Sequence, residues 1–287
     1  MTVTRLNSAS ADLRALLAEQ RANGRTIGFV PTMGYLHTGH QSLIEASAAD
    51  GHFTVVSIFV NPAQFGPNED LDTYPSNPEG DFARCAESGA DLVWYPERAD
   101  LYPASAQTMV TPGALGQRLC GISRPRFFPG ICTVVLKLFN LIEPNAAYFG
   151  EKDFQQLTII RRMAADFFLR TEVIGCTTVR EADGLAKSSR NAYLAAEDRD
   201  LALTLVRTIR AARQAYSDGE RDAVRLKAAL SAAWPEGVDL DYLDFREPVN
   251  LELVEQLNAD TRVFLGAWLK GIRLIDNAAL GTTGTSV

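Results

Sequence analysis

The segment GFVPTMGYLHTGH spans residues 28–40 and predicts a strand, a turn and the start of a helix. An apolar run from Thr26 to Val30 is typical of a buried strand. Pro31 and Gly34 indicate a turn, and a helix is expected to begin near Gly39. The first turn of a helix offers unpaired N–H groups and a positive dipole end, which favour phosphate. The segment therefore predicts a phosphate-binding turn after a buried strand.

Two histidines fall in this turn, although the chain has only three. His37 and His40 are spaced to face the same side of a helix, where their imidazoles can donate hydrogen bonds to phosphoryl oxygens. One alternative is that they lie at the start of a helix without a functional role. Another is a zinc site, for which His52 is the only further histidine and no third ligand is evident.

Strand-like and helix-like segments alternate on either side of this turn. Repeated strand–helix–strand units with apolar strands predict an α/β fold with a doubly wound parallel sheet, whose ligands bind at the carboxyl ends of the strands. Periodicity does not decide between helix and strand for residues 131–142. Strands are predicted at 26–30, 53–60, 91–95 and 171–175, helices at 41–49, 82–88 and 153–168, and a long ordered loop or lid at 61–80.

The pattern changes after Cys176. Helices are predicted at 197–216 and 221–233, followed by strands at 240–245, 262–269 and 272–277. Lys270-Gly271 predicts a tight hairpin between the last two strands. We therefore predict two domains: residues 1–176, with the parallel sheet, and residues 177–287, a smaller α+β unit.

Composition and charge exclude several classes of protein. The 287 residues are 46% hydrophobic and 22% charged, which is ordinary for a globular protein. The net charge is −7, with −4 in residues 1–176 and −3 in residues 177–287, so neither part is a basic nucleic-acid-binding module. No apolar run is long enough to span a membrane, and the N-terminal segment lacks the apolar core of a signal peptide. Four cysteines without a C-x-x-C spacing indicate reduced thiols, so a cytoplasmic protein is expected.

The string Pro-Thr-Met-Gly-x-Leu-His-x-Gly-His resembles the nucleotide-binding signature of the pantoate–β-alanine ligase family. The shorter His-x-Gly-His is shared with class I aminoacyl-tRNA synthetases and nucleotidylyltransferases. The resemblance implies a Rossmann-like first domain and a smaller C-terminal lid domain. It also implies that His40 acts as a proton donor, although its chemistry equally suits stabilising the departing pyrophosphate. The ATP contacts it implies here are Pro31, Thr32, Met33, Gly34, His37, Gly39 and His40.

A second block, Asn61-Pro62-Ala63-Gln64-Phe65, follows a predicted strand. Neutral amides at the carboxyl end of a strand can bind hydroxyls and a carboxylate, although an ordinary capped loop is the alternative. The block resembles the pantoate-binding region of the family, which implies that Asn61 and Gln64 contact pantoate or β-alanine. Arg124, in a segment that also resembles the family, is predicted to bind the same substrates.

A third block, residues 149–157, joins a strand to a helix. Lys152 lies at the helix start, where a cation opposes the dipole, so a nearby anion explains it better than helix stability does. A solvated Lys-Asp pair is the alternative. The resemblance implies that Gly150, Lys152 and Asp153 contact ATP and that Gln156 contacts pantoate.

A fourth block, residues 179–191, contains the run Lys-Ser-Ser-Arg, whose cations and hydroxyls suit phosphate. Asp183-Gly184 predicts a turn. The block resembles the mobile loop of the family, and the alternative is a polar interdomain linker. The implied ATP contacts are Val179, Lys187, Ser188, Ser189 and Arg190.

The chain departs from the family pattern at three places. Phe127 replaces a histidine, which affects the substrate side, and Lys187 replaces a residue that is often Met or Leu. An acidic pair near the expected magnesium–phosphate region is reduced to Gly80-Asp81. Asp81 is therefore the one candidate ligand for Mg²⁺.

The resemblance implies a homodimeric, ATP- and Mg²⁺-dependent ligase that activates pantoate as an adenylate and transfers it to β-alanine. His37, His40, Lys152 and Arg190 are its predicted catalytic residues. Three alternatives remain open: a nucleotidylyltransferase acting on a phosphate ester, a tRNA-binding synthetase-like module, which the acidic charge disfavours, and a non-catalytic homologue.

Overall fold

The computed structural model describes residues 3–7, 10–67 and 69–281. These residues form two compact units. The first comprises the described residues up to Gln117 together with Gly121–Glu151 and Ile159–Thr177. The second comprises Arg118–Cys120, Lys152–Thr158 and the described residues from Thr178 onward. Each unit has its own sheet.

The sheet of the first unit has six parallel strands, which confirms the predicted α/β class. The strands are β1 Thr4–Leu6, β2 Ile27–Thr32, β3 Phe53–Ile58, β4 Leu92–Trp94, β5 Ala146–Gly150 and β6 Glu172–Cys176. Their order is β1-β4-β3-β2-β5-β6, so the direction of winding reverses between β2 and β5. Ligands of such sheets bind outside the carboxyl ends of the strands at this reversal.

Helices connect these strands and supply much of the core. They are α1 Ser10–Ala22, α2 Thr38–Ala49, α3 Pro78–Glu87, α4 Arg98–Leu101, α5 Cys120–Ser123, α6 Phe127–Ile142 and α7 Phe154–Asp166. The apolar run at residues 131–142, for which periodicity did not decide, is helical. Most residues of α6 are buried, so it lacks the polar stripe that marks a helix in a sequence.

Helix α2 lies close against the sheet because of a glycine in β2. A Cβ on Gly28 would lie 2.1 Å from the hydroxyl oxygen of Ser47 in α2. That hydroxyl is paired with Thr54 of β3 at 2.8 Å, so the close contact leaves no polar group unsatisfied. The packing fixes the helix that begins at the histidine turn.

The second unit contains a three-stranded antiparallel sheet ordered β7-β8-β9. Its strands are β7 Asp239–Arg246, β8 Arg262–Leu269 and β9 Ile272–Ala279, and its helices are α8 Arg199–Ala202, α9 Thr204–Ser217 and α10 Ala223–Ala232. The hairpin predicted at Lys270-Gly271 is confirmed: both residues have positive φ, 48° and 83°, and Leu269 pairs with Ile272. This is the backbone of a two-residue type I′ turn.

The prediction of one helix over residues 197–216 was wrong. The segment consists of a 3₁₀ turn, Ala196–Asp198, then α8, then α9 after a break at Leu203. No glycine or proline marks the break in the sequence. In the described part of the chain, no helix is long and apolar enough to cross a membrane.

Candidate active site

The turn after β2 is shaped by glycine and by a buried carboxylate. Gly34 has a φ of +88°, and Tyr35 has a φ of +52°. The backbone N–H groups of Tyr35 and Leu36 donate to the two carboxylate oxygens of Asp81, at 2.8 and 2.7 Å. Asp81 is only 2% exposed. One side chain of α3 therefore holds the backbone that leads into the histidine turn.

The two histidines close the N-terminus of α2 through their Nδ1 atoms. The N–H of Gly39 donates to His37 Nδ1 at 3.1 Å, and the N–H of His37 donates to His40 Nδ1 at 3.3 Å. The ring centroids are 4.1 Å apart. Because each Nδ1 accepts, the hydrogen-bond pattern assigns the proton of each neutral ring to Nε2. In this tautomer the ring donor of each histidine is Nε2–H, a group that can donate to a phosphoryl oxygen.

His52 and Asp81, which the sequence offers as possible metal ligands, have other partners in the structure. No group of three His, Cys, Asp or Glu side chains within the described residues is arranged to hold a metal ion. His52, the third histidine, pairs with the Thr26 hydroxyl at 2.7 Å instead. The two oxygens of Asp81 are engaged by backbone N–H groups, and this geometry supports a positioning role for Asp81 within the turn.

We expect Asp81→Asn to destabilise the protein. The new amide can accept from one backbone N–H but turns its NH₂ group toward the other, which leaves a buried donor unsatisfied and costs about 1–3 kcal/mol. Urea unfolding would measure this loss, with Asp72→Ala as an exposed control in the preceding loop. A metal ligand at Asp81 would give the opposite result: unchanged unfolding and a raised Mg²⁺ requirement.

The amides of Asn61 and Gln64 form a directed network after β3. Asn61 Oδ1 accepts from the Tyr102 hydroxyl at 2.7 Å, and Asn61 Nδ2 donates to Gln64 Oε1 at 3.0 Å. Gln64 Nε2 then points to Met33 Sδ, at 3.2 Å. Burial raises the pKa of Tyr102 to about 12, so its hydroxyl stays protonated and donates. The predicted substrate residue Gln64 therefore lies beside Met33 of the signature.

Helix α6 supports this network at one close contact. Asn61 Nδ2 also donates to the carbonyl of Gly130, at 3.1 Å. A Cβ on Gly130 would lie 2.4 Å from the carbonyl oxygen of Ala63 and 2.6 Å from Gln64 Cα. Only glycine therefore fits where α6 meets the residues that carry Gln64.

Arg124 is held by two neighbours. Its Nε and Nη2 donate to the two carboxylate oxygens of Glu69, at 2.8 and 2.5 Å. The ring of Phe127, the family departure, lies 3.6 Å from the guanidinium carbon. The bidentate pair and the stacked ring fix the plane of the guanidinium group. The pair with Glu69 uses Nε and Nη2 and does not use Nη1.

The carboxyl end of β5 leads to the third block. A Cβ on Gly150 would meet no atom within 4 Å, so the space beside this residue is open. Residues 151–153 form a 3₁₀ turn, and α7 begins at Phe154, one residue later than predicted. Lys152 Nζ lies 3.8 Å from Asp153 Oδ2, and the Lys152 carbonyl accepts from Asn277 at 2.8 Å.

Gln155 and Gln156 have different surroundings. The Gln155 amide bonds the backbone of Cys120 at 3.1 Å and of Arg118 at 2.6 Å, so it is structural. Gln156 is half-buried, and no hydrogen-bond partner is found for its side-chain amide within the described residues. This leaves its amide available for the predicted contact with pantoate.

The fourth block forms a short hairpin. Lys187 N donates to the Val179 carbonyl at 2.9 Å, and Arg180 bridges to Ala186. The turn predicted at Asp183-Gly184 is confirmed, with Gly184 at φ +99°. Ser188 then caps a 3₁₀ turn, Ser189–Tyr193, by accepting from the N–H of Arg190 at 3.3 Å.

A carboxylate at the base of this hairpin organises its cations. Glu181 accepts from Asn191 at 2.9 Å and from Arg199 at 2.6 Å, and Lys187 Nζ lies 3.5 Å away. Burial raises the pKa of Glu181, but these hydrogen bonds outweigh burial and leave it below its usual value. Hydrogen bonds from Arg199 also lower the pKa of Asp183. Glu181 and Asp183 therefore stay ionised and hold the loop by charge.

This sheet order, with a His-x-Gly-His helix start at the winding reversal, is typical of α/β proteins that bind nucleotides. The family model described as pantoate–β-alanine ligase matches residues 5–279. The chain belongs to the pantoate–β-alanine ligase family.

Named relatives cover nearly the whole chain. The pantothenate synthetase of Geobacter sulfurreducens is 47% identical over 279 residues, 96% of this chain and 99% of its own. Pantothenate synthetase 1 of Bradyrhizobium diazoefficiens is 48% identical over 272 residues, covering 94% and 96%. The family resemblance seen in the sequence is thus confirmed, and the chain is a ligase by its family.

Two crystal structures share the fold. Pantothenate synthetase from Thermus thermophilus superposes with a TM-score of 0.92 at 41% identity, covering 97% of this chain and all of the relative. The pantoate–β-alanine ligase of Francisella tularensis gives a TM-score of 0.80 at 33% identity, covering 98% and 99%. The Francisella protein was solved in complex with β,γ-ATP and β-alanine.

Proposed function

We propose that this protein condenses (R)-pantoate with β-alanine in an ATP-dependent reaction that yields pantothenate, AMP and pyrophosphate. The observation that carries the proposal is the histidine turn at the start of α2, where His37 and His40 each accept a backbone N–H at Nδ1. Membership of the family supplies the substrates, and the complexed Francisella relative supports ATP and β-alanine as two of them.

In the first proposed step, a carboxylate oxygen of pantoate attacks the α-phosphorus of ATP. The bond from this phosphorus to the bridging oxygen breaks, and pyrophosphate leaves with that oxygen. Pantoyl adenylate remains. The role proposed for His37 and His40 is to donate to oxygens that gain charge in this step. Lys152, Lys187 and Arg190 are proposed as further phosphate contacts, together with the backbone and hydroxyls of Ser188 and Ser189.

In the second proposed step, the amine of β-alanine attacks the acyl carbon of the adenylate. The bond from that carbon to the AMP oxygen breaks, AMP leaves, and the nitrogen loses a proton as the amide forms. Gln64 and Gln156 are proposed to bind pantoate, because amides can bind both hydroxyls and a carboxylate. Asn61 was expected to contact pantoate as well, but it is buried and its amide is used by Tyr102, Gln64 and Gly130, so its proposed role is to position Gln64. Arg124 is proposed to bind a substrate carboxylate through Nη1.

Magnesium is proposed to enter as part of the ATP substrate. Mg²⁺ keeps several water ligands and is commonly held through substrate phosphates. This fits the described residues, which supply no three-ligand cluster and engage Asp81 in backbone hydrogen bonds. We further propose a cytoplasmic homodimer, with residues 1–176 binding ATP and pantoate and residues 177–287 acting as a lid, as the family resemblance implies.

Pyrophosphate exchange tests this function. The full-length protein is mixed with ATP, Mg²⁺ and labelled pyrophosphate, first without and then with pantoate. We expect exchange only with pantoate, and AMP release only after β-alanine is added. Exchange that ignores pantoate, or that requires a phosphate ester, would favour the nucleotidylyltransferase alternative.

Phe127 provides a test of the substrate side. We expect Phe127→Ala to raise the KM for a carboxylate substrate about 3- to 10-fold, because a cation–π contact of about 0.5–1 kcal/mol and its packing are lost from Arg124. Phe127→Tyr keeps the ring and should behave like the parent protein. Equal KM values for Phe127→Ala and the parent would remove the stacked ring from substrate binding.

A further inference from the structure

Two adjacent buried residues of β9 each hold a different functional segment of the second unit. Asp276 and Asn277 are both 4% exposed. We propose that this pair is a positioning device, in which Asn277 fixes Lys152 and Asp276 fixes the hairpin that ends in Lys187. The inference rests on the proposed function insofar as it takes these lysines as phosphate contacts.

The contact of Asn277 with Lys152 is direct. Asn277 Nδ2 donates to the carbonyl oxygen of Lys152 at 2.8 Å. The Oδ1 atom of the same amide accepts from Arg262, which sets which way the amide faces. The Arg262 guanidinium is in turn stacked on Phe154, 3.7 Å from the ring centroid. Lys152 and Phe154, on the two sides of Asp153, are therefore tied to the antiparallel sheet.

The contact of Asp276 is a buried ion pair. Its two oxygens accept from Arg180 Nη1 and Nη2 at 2.7 and 2.9 Å, and the two side chains are 3% and 9% exposed. Arg180 Nη1 also donates to the carbonyl of Gly184, at 3.0 Å. Arg180 thus spans the hairpin and docks it on β9. Arg180 Nε has no hydrogen-bond partner in the described residues, so the guanidinium depends on Asp276 and Gly184.

The geometry of a strand explains how two adjacent residues can contact two different segments. Successive side chains of a strand point to opposite faces, so Asp276 and Asn277 can reach separate segments. The backbone of one dipeptide then sets the separation of Lys152 from the hairpin. Such rigid support is what an electrostatic site requires, because a small displacement of its donors weakens them.

Selective isotope labelling can observe each anchor directly. Lys152–Asp153 is the only Lys-Asp bond in the chain, and Lys187–Ser188 is the only Lys-Ser bond. Labelling with ¹³C′-lysine and ¹⁵N-aspartate, or with ¹³C′-lysine and ¹⁵N-serine, therefore gives one carbonyl signal for each segment. Asn277→Asp keeps the shape and the acceptor for Arg262 but cannot donate to Lys152. We expect it to move the Lys152 signal, while Asp276→Asn moves the Lys187 signal.

Kinetics must change in parallel with these signals. We expect Asn277→Asp and Asn277→Ala to raise the KM for ATP about 3- to 10-fold, the equivalent of one hydrogen bond, with the KM for pantoate unchanged. Asp244→Asn is the matched control for Asp276→Asn. It removes a buried carboxylate of β7, the opposite edge strand of the same sheet, which is paired with Arg246 and Lys227, and it should lower stability without changing the KM for ATP.

The outcomes separate the two proposals. Absence of pantoate-dependent exchange in the parent protein refutes the proposed function, and the carbonyl signals then still decide whether the anchors exist. Normal exchange in the parent, with either an unmoved Lys152 signal or an unchanged KM for ATP in Asn277→Asp, overturns the anchor and leaves the function standing. The anchor is also overturned if Asp244→Asn raises the KM for ATP as much as the Asn277 variants do, because the effect would then be one of general stability.

Discussion

Replacing His40 with alanine is expected to lower the rate of pantoate-dependent pyrophosphate exchange about 10²- to 10³-fold. This is the usual effect of removing one oriented hydrogen-bond donor to a developing charge. The reason lies in the hydrogen bonds of the ring. Its Nδ1 accepts from the His37 backbone, so the ring donor is Nε2–H, which we propose meets a phosphate oxygen. Single-turnover measurement of adenylate formation would report this step alone.

Two further variants separate the capping role of His40 from its chemical role. Asn at position 40 can offer an oxygen where Nδ1 accepts but has no atom at the Nε2 position, so His40→Asn should fold normally and lose activity. In His40→Gln the longer side chain can place a donor near the Nε2 position, and we expect part of the activity to return. His52→Ala is the control, since His52 bonds Thr26 outside the turn. Near-normal adenylate formation by His40→Asn would remove Nε2–H from the mechanism.

Gly130→Ala is expected to damage the substrate side through the packing of α6. The added methyl group would lie 2.4 Å from the carbonyl oxygen of Ala63, so either the helix or the Asn61–Gln64 segment must move. Overpacking of this kind costs about 1–3 kcal/mol of stability. A shift of Gln64 by about 1 Å would lower kcat/KM for pantoate about 10- to 100-fold.

Gly113→Ala is the matched control for this change. A Cβ on Gly113 would meet no atom within 4 Å, so neither stability nor kinetics should change. Urea unfolding and pantoate kinetics of both variants would separate packing from loss of glycine flexibility. If Gly130→Ala keeps the parent's kcat/KM for pantoate, the close approach of α6 does not position Gln64.

The sequence predicted the elements whose signals are local. The strand ending near Val30, the helix start at the histidine turn and the hairpin at Lys270-Gly271 each carry their own punctuation of glycine, proline or apolar runs. The short strand β1 was not predicted, because three mostly exposed residues carry no apolar pattern and the strand is recognised only from its pairing with β4. Helix α6 remained undecided because burial on nearly all sides removes the periodicity that distinguishes helix from strand.

The site residues also divide into those with a local signal in the sequence and those defined by distant contacts. His37 and His40 were recognisable because two of three histidines share one turn, and the structure brings them within 4.1 Å. The roles of Asp81, Asp276 and Asn277 depend on partners far away in the chain, and a single sequence holds no record of such pairs. Arg124 was predicted as a substrate contact, but its pairing with Glu69 could not be foreseen from either residue alone.

The pairing of β2 with β5 bears on how the protein is made. Gly28 pairs with Ala146, so the histidine turn leaves the ribosome well before its neighbouring strand exists. At about 5–20 residues per second, that interval is on the order of 10 s. The hydrogen bond to the carbonyl oxygen of Lys152 forms still later during synthesis, because its donor, Asn277, lies near the end of the chain. A nascent chain released before β9 would therefore carry all four motif blocks yet lack the strand that anchors two of them.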